Sequence, residues 1–267
     1  MTLYAQTNLE LFKQLESNGY CQQDLLLIQK AYQLAMIKLS GMYRPSGKTS
    51  MAHFIGTASI LASLKVPITL VAAGLLHAIY RHGDFGTLTK GVSDSKRQKV
   101  RNIVGEEVEE YIYRYLNTKP DLDTLNTFNQ QLHKLDTIDR NTWLIRLVNE
   151  LEDCLDGGIL YCHYAKQRKK NYQQSMPLMI EIAEKLGFSN LALELHKVLN
   201  EINAAKIPKQ KLRCQKTYGD FQVIPESYYK KIHIKLYEEI INLFNIFQSL
   251  MSRLKNKMSR LSYLKKV

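Results

Sequence analysis

Two histidines and one short polar loop offer most of the chemistry that can be read in this chain. His53 lies in SMAHFIGTASILASLK, where Phe54, Ala58 and Leu61 recur at helical spacing and His53 shares the adjacent stripe with Gly56, Thr57, Ile60 and Leu64. His77 is the one polar residue of a segment, Leu70 to Tyr80, that is otherwise apolar on every side. A helix of that kind is buried, and its imidazole needs a hydrogen-bonding partner. Ahead of both stands YRPSGKTS, residues 43 to 50, a basic loop with a glycine that leads into a helix. Backbone amides and the helix dipole favour an anion such as phosphate there. It lacks the first glycine of a P-loop and no strand precedes it, so a plain connection remains the alternative. Later, RLVNELEDCLD (146–156) sets Asn149, Glu152, Asp153 and Asp156 at i, i+3, i+4 and i+7, a polar stripe facing water or a cavity.

The elements that must position these groups all read as helices. Helical spacing predicts segments over 8–16, 22–39, 50–65, 70–80, 95–117, 122–135, 142–155, 159–167, 171–186 and 189–203, with Gly41, Pro67, Pro120 and Gly157-Gly158 as breaks. No strand pattern of convincing length occurs, so the fold class is all-α. The short Lys-Val-Pro turn places His53 and His77 on adjacent helices, and the late helix offers Asn149 and Asp153 one turn apart. Glu106, Glu107, Glu109 and Glu110 read as a solvated face, with Val108, Ile112 and Tyr115 packing inward.

These residues resemble the HD superfamily of metal-dependent phosphohydrolases, most closely the hydrolase domain of bacterial (p)ppGpp synthetase/hydrolases, over residues 20 to 200. The resemblance rests on Arg44, Ser46 and Gly47 in the loop, on His53, on His77 closing AAGLLH, on RLVNELEDCLD, and on AEKLGFSNLALELHKVL (183–199). It implies an HD-like helical bundle whose central pocket lies between the helices of His53, His77 and Asn149/Asp153. It also implies that Arg44 contacts the base of a substrate. The chain departs from the family where Ala78, not aspartate, follows His77, and where Asn149 and Asp153 stand as though an aspartate and an asparagine had exchanged places. Arg81-His82 replaces an acidic pair. The segment GLLHAIY is also similar to that of HD-like proteins that keep both histidines and a GLxHxxY pattern without the aspartate.

Three readings of the histidines stay open. A divalent metal (Mn, Fe or Zn) is held by His53, His77 and Asp153, or with His82 or Asp84 in place of the missing carboxylates. The pocket is instead metal-free, with the histidines as acid/base groups or ligand hydrogen bonders. Or they are core histidines satisfied by Asn149 and Thr57. Two neutral imidazoles alone suit hard, oxygen-preferring ions poorly. The expected function is an enzyme acting on a small anionic metabolite through a modified HD-type pocket, unlike a typical (p)ppGpp hydrolase. His53, His77 and Asp153 are its expected catalytic groups, and Arg44, Ser46, Lys48, Tyr80 and Asn149 its expected substrate contacts. The alternative is a catalytically inactive domain that senses a nucleotide or scaffolds a partner.

Composition bounds the rest. With 267 residues, 45% of them hydrophobic, the chain can pack a full domain plus an appendage. Cys21, Cys154, Cys162 and Cys214 are too widely spaced for a CxxC motif and read as buried, reduced thiols. The start has no basic region followed by an apolar core, and no apolar run is long enough to span a bilayer, so a cytoplasmic location is expected. The net charge of +12 is uneven: fourteen of 37 Lys/Arg but four of 25 Asp/Glu fall within 205–267. The expected organisation is therefore a helical domain over 1–204, a basic linker over 205–227 and an amphipathic C-terminal helix over 228–267. In that helix Ile240, Phe247, Leu254 and Leu261 fall on strict sevens, joined by Phe244, Met251 and Met258, with Leu243, Leu250 and Leu264 in a third row interrupted by Lys257. This face must be buried against the chain's own domain, a second copy of the chain, a partner or, given its basic back, an anionic surface. No sequence-specific nucleic-acid partner is expected.

Overall fold

The computed structural model describes residues 4–86 and 91–209, together with scattered positions between 236 and 251. Among them there is no strand, and an isolated bridge joins Tyr43 to Thr49. Twelve α-helices follow one another through the first part of the chain: α1 Asn8–Ser17, α2 Gln22–Leu39, α3 Ser50–Ser63, α4 Ile68–Leu76, α5 Ile79–His82, α6 Asp94–Val104, α7 Glu106–Tyr115, α8 Leu122–Gln131, α9 Thr137–Cys154, α10 Gly158–Tyr161, α11 Ala165–Lys185 and α12 Ser189–Ala204. A 3₁₀ turn, Leu132–Lys134, links α8 to α9.

Side-chain caps account for several of the starts. Thr7 and Glu10 form a reciprocal capping box on α1, and Thr49, Ser93, Asp121 and Asp136 each accept a backbone N–H at the head of α3, α6, α8 and α9. The spine of the bundle is apolar. Along α3 almost every residue from His53 to Ala62 is buried, and α4 is buried from Leu70 to Leu76. α3 and α4 pack closely because Gly74 has no Cβ where the Leu61 side chain lies. α9 runs through the middle, against α3, α4, α7, α11 and α12, and buries every residue from Thr142 to Glu152. It thereby touches both the helices of the histidines and the late helices α11 and α12.

Four expectations are corrected. The helix over 95–117 is two helices, broken at Gly105, whose φ of 90° is open to glycine and strained for other residues. The break turns α7 so that Glu109 is fully buried rather than solvated. Its carboxylate accepts from Tyr80 Oη (2.7 Å), Arg97 Nε (2.7 Å) and Arg101 Nε (2.7 Å). The apolar helix expected over 70–80 likewise divides, into α4 and α5, at His77–Ala78. Cys21 is exposed at the head of α2, while Cys154 and Cys162 are buried; Cys214 lies outside the described residues.

The chain divides into two units, Met1–Val223 and Ile224–Val267. In the second, the described positions are helical, and Ile240, Leu243, Phe244, Phe247, Leu250 and Met251 are all exposed. Leu254, Met258, Leu261 and Leu264, and most of the expected linker, lie outside the described residues. Among the described residues no helix is long and apolar enough to cross a membrane.

Candidate functional site

The site begins with a tight turn. In Arg44-Pro45-Ser46-Gly47, proline fixes φ at the second position, Gly47 takes a φ of 90°, and its N–H returns to Arg44 O (2.8 Å). Arg44 N–H then donates to Lys48 O (2.7 Å), so the turn holds Arg44 and Lys48 side by side. Facing them, α9 presents Glu152 and Asp153. Arg44 Nη2 donates to both Asp153 oxygens, and Lys48 Nζ donates to Glu152 Oε1 and lies 3.4 Å from Asp156 Oδ2. Arg168, from α11, adds a second guanidinium to Asp153 Oδ2 at 3.3 Å. Burial by itself would raise the Asp153 carboxyl, but the charges of Arg44, His53 and Arg168 outweigh it and hold it well below the usual carboxylate range.

His53 is completely buried between these groups. Its Nδ1 faces Glu152 Oε2, and its Nε2 lies 3.0 Å from Asn149 Oδ1. The amide orientation of Asn149 is set by its other end, where Nδ2 donates to Glu150 Oε1 (3.0 Å), a carboxylate that can only accept. Both ring nitrogens of His53 therefore face acceptors. Room for Glu152 against α3 comes from Gly56, where a Cβ would lie 2.6 Å from Glu152 Oε1 and 2.9 Å from its Cγ.

His77 differs. Its ring sits among those of His53, Phe54 and Tyr115, with centroids 5.3, 5.4 and 5.0 Å away. Nδ1 lies 2.7 Å from Gly74 O, so the proton is on Nδ1 and the lone pair on Nε2. Burial, followed by the charge of His53, pushes His77 well below the ordinary histidine range, which keeps the ring neutral near pH 7.

His77 opens onto a cleft of about 700 Å³. The lining includes five permanent cations, Arg44, Arg81, Lys119, Arg146 and Arg168, against three carboxylates, Asp121, Glu150 and Asp153. Arg146 is fixed by Glu150 Oε1 (3.1 Å), Thr118 O (2.8 Å) and the face of Tyr115 (4.0 Å), and Tyr172 Oη donates to the other Glu150 oxygen (2.7 Å). Arg81 and Lys119 are exposed and make no ion pair among the described residues.

Of the residues singled out in the sequence, Arg44, His77, Asn149 and Asp153 line this cleft. His53 stands behind Asn149 and does not reach it. Ser46 packs against Gly158, Lys48 is turned to Glu152 and Asp156, and Tyr80 points to Glu109, so these three do not line it. His82 does line it; Asp84 does not. Arg146, Glu150, Arg168 and Tyr172 escaped the sequence reading. Arg146 and Glu150 sat in the quoted RLVNELED at i, i+4, whereas nothing local marks Arg168 or Tyr172.

His53, Glu152 and Asp153 offer ligand atoms within 4.8 Å of one another, a cluster that could hold a metal ion. Each carboxylate oxygen in it already accepts from a nitrogen: Glu152 from Lys48 and His53, Asp153 from Arg44 and Arg168. Both ring nitrogens of His53 are likewise turned to protein groups, Nδ1 to Glu152 and Nε2 to Asn149. The residues present therefore do not fit a metal without breaking these pairs.

A family model described as a domain of unknown function (DUF6817) matches residues 38–119, which contain the turn and both histidines but not α9. No curated protein matches the chain. Among solved structures it is similar to a metazoan ortholog of SpoT, reported to hydrolyse ppGpp and to play a role in starvation responses. The two share 15% identity with a TM-score of 0.44, covering 68% of this chain and 96% of that one.

Proposed function

We propose that the first unit is an HD-type, hydrolase-like domain that takes a small anionic metabolite into the cleft and acts on it with His77. The observation that carries the reading is the charge of the cleft: five permanent cations against three carboxylates around a volume suited to a metabolite. Arg44, Arg146 and Arg168 are held in place by Asp153 and Glu150, so their donors are oriented before a ligand arrives. Arg81 and Lys119 supply charge at the rim. His77 is a neutral imidazole with its lone pair on Nε2, able to take a proton from a ligand hydroxyl or an attacking water and return it to a leaving group.

The second reading, a domain that binds such a metabolite without turning it over, is favoured by one observation. Asp153 and Glu150, two carboxylates of the cleft, are each tied to arginines, and Asp153 is held too acidic to serve as a base.

A panel of phosphorylated and carboxylated metabolites, each paired with its neutral counterpart, separates the outcomes by thermal shift and then product analysis. We expect the anions alone to stabilise the protein, with turnover of at least one and none in His77→Ala. Stabilisation without turnover would favour the sensing reading, and stabilisation by the neutral set alone would reject both.

A further inference from the structure

Resting on the cleft reading, we propose that the protein's own cations stand where a divalent metal would otherwise sit, so that the site works without a metal ion. Glu152 and Asp153 are the only two carboxylates that share a ligand-distance cluster with His53 among the described residues. All four of their oxygens already accept from protein nitrogens: Glu152 Oε1 from Lys48, Glu152 Oε2 from His53, and the two Asp153 oxygens from Arg44, with Arg168 joining at Oδ2.

Charge leads to the same conclusion. Lys48, Arg44 and Arg168 neutralise Glu152, Asp153 and the more exposed Asp156. A divalent ion would add two positive charges to a buried group that is already balanced, and would have to displace an arginine or a lysine to gain ligands. The sequence departures agree with this. Ala78 and Asn149 bring no carboxylate, and the amide of Asn149 is turned so that its oxygen faces His53.

The device is one turn of chain. Because Arg44 and Lys48 are joined across the Pro45–Gly47 turn, both cations reach α9 together and Glu152 and Asp153 are filled as a pair. Lys48 is the cation whose removal should reopen the cluster, since it does not line the cleft and holds both Glu152 and Asp156.

The test is calorimetric titration of full-length protein, purified without affinity metal, with Mn²⁺ and Zn²⁺, in parallel with Lys48→Met. We expect no stoichiometric ion in the purified wild type by elemental analysis, no saturable binding in its titration, and saturable Zn²⁺ binding in Lys48→Met at least about tenfold tighter than the weakest the titration can detect, a margin of about 1.4 kcal/mol. A stoichiometric ion that co-purifies with the wild type would overturn the proposal, as would a folded Lys48→Met protein that binds Zn²⁺ no better than the wild type. If Lys48→Met fails to fold, the wild-type measurements decide alone. Metal binding together with anion binding would overturn this inference and leave the cleft reading standing; absence of both would do the reverse.

Discussion

At the scale of single residues, two kinds of buried polar group stand side by side and make different demands. Glu109 is structural: burial alone would raise its carboxyl, and the hydrogen bonds from Arg97, Tyr80 and Arg101 hold it below the usual value. A carboxyl with a folded pKa below its unfolded one binds protons more readily once the chain opens. Its stabilisation is therefore present above the unfolded value near about 4.3 and is lost as pH falls through the folded value. Glu109→Gln should cost about 3 kcal/mol at neutral pH, because Arg101 loses its carboxylate and Arg97 keeps only Glu110, and should flatten the acid limb of a stability-versus-pH curve. Denaturant melts of both proteins across that range check it; an unchanged acid limb would contradict the assignment. His77 is its counterpart in the proposed function. Because it is ringed by Phe54, His53 and Tyr115, His77→Ala should cost about 1–3 kcal/mol through a void and a lost bond to Gly74, and abolish turnover in the fraction that stays folded. Equal loss of activity and folded protein on warming would mean that His77 serves packing alone.

At the scale of elements, the packing of α3 against α9 decides whether the site exists. Gly56→Ala puts a better helix former into α3, a gain of about 1 kcal/mol in propensity. We nevertheless expect a net loss of about 1–2 kcal/mol, because the new Cβ would meet Glu152 Oε1 at 2.6 Å and its Cγ at 2.9 Å, and Glu152 is held by His53 and Lys48. Thermal melts of the two proteins decide the sign, and a more stable variant would mean that Glu152 moves freely. How far such relations could be read beforehand follows from their range along the chain. α2 was legible to its ends, because Gln22 to Leu39 is a continuous amphipathic run closed by a glycine loop. The neighbourhood of His53 and His77 was legible because only four residues, Leu64 to Pro67, join their helices. Glu109 was not, since one positive φ at Gly105 rotates α7 and periodicity carries no trace of it. Nor was the pairing of Arg44 with Asp153, which are 109 positions apart, or the arrival of Arg168 from a third helix. Local pattern fixes which residues share a face, not which distant face they meet.

At the scale of the whole molecule, the fourteen Lys/Arg of 205–267 and the exposed apolar positions at Ile240, Phe244, Phe247 and Met251 set the C-terminal part apart from the first unit. We expect a chain ending at Val223 to keep the melting temperature of the first unit and to be monomeric, while the full chain self-associates through its heptad positions. Light scattering coupled to gel filtration, beside a thermal melt, reads both. A truncated chain with the oligomeric state of the full one would refute the association, and one that fails to melt cooperatively would refute the independence of the first unit.

The central claim is that a small anion is held in the cleft by fixed protein charge. Its most direct measurement is equilibrium binding of inorganic tripolyphosphate, in the presence of a chelator, to the wild type and to an Arg81→Ala/Lys119→Ala variant. We predict one saturable site in the wild type, weakening as salt is raised, and a loss of about tenfold or more in the variant from two missing charge-assisted contacts. Absence of saturable binding, or binding that the variant leaves unchanged, would contradict the account.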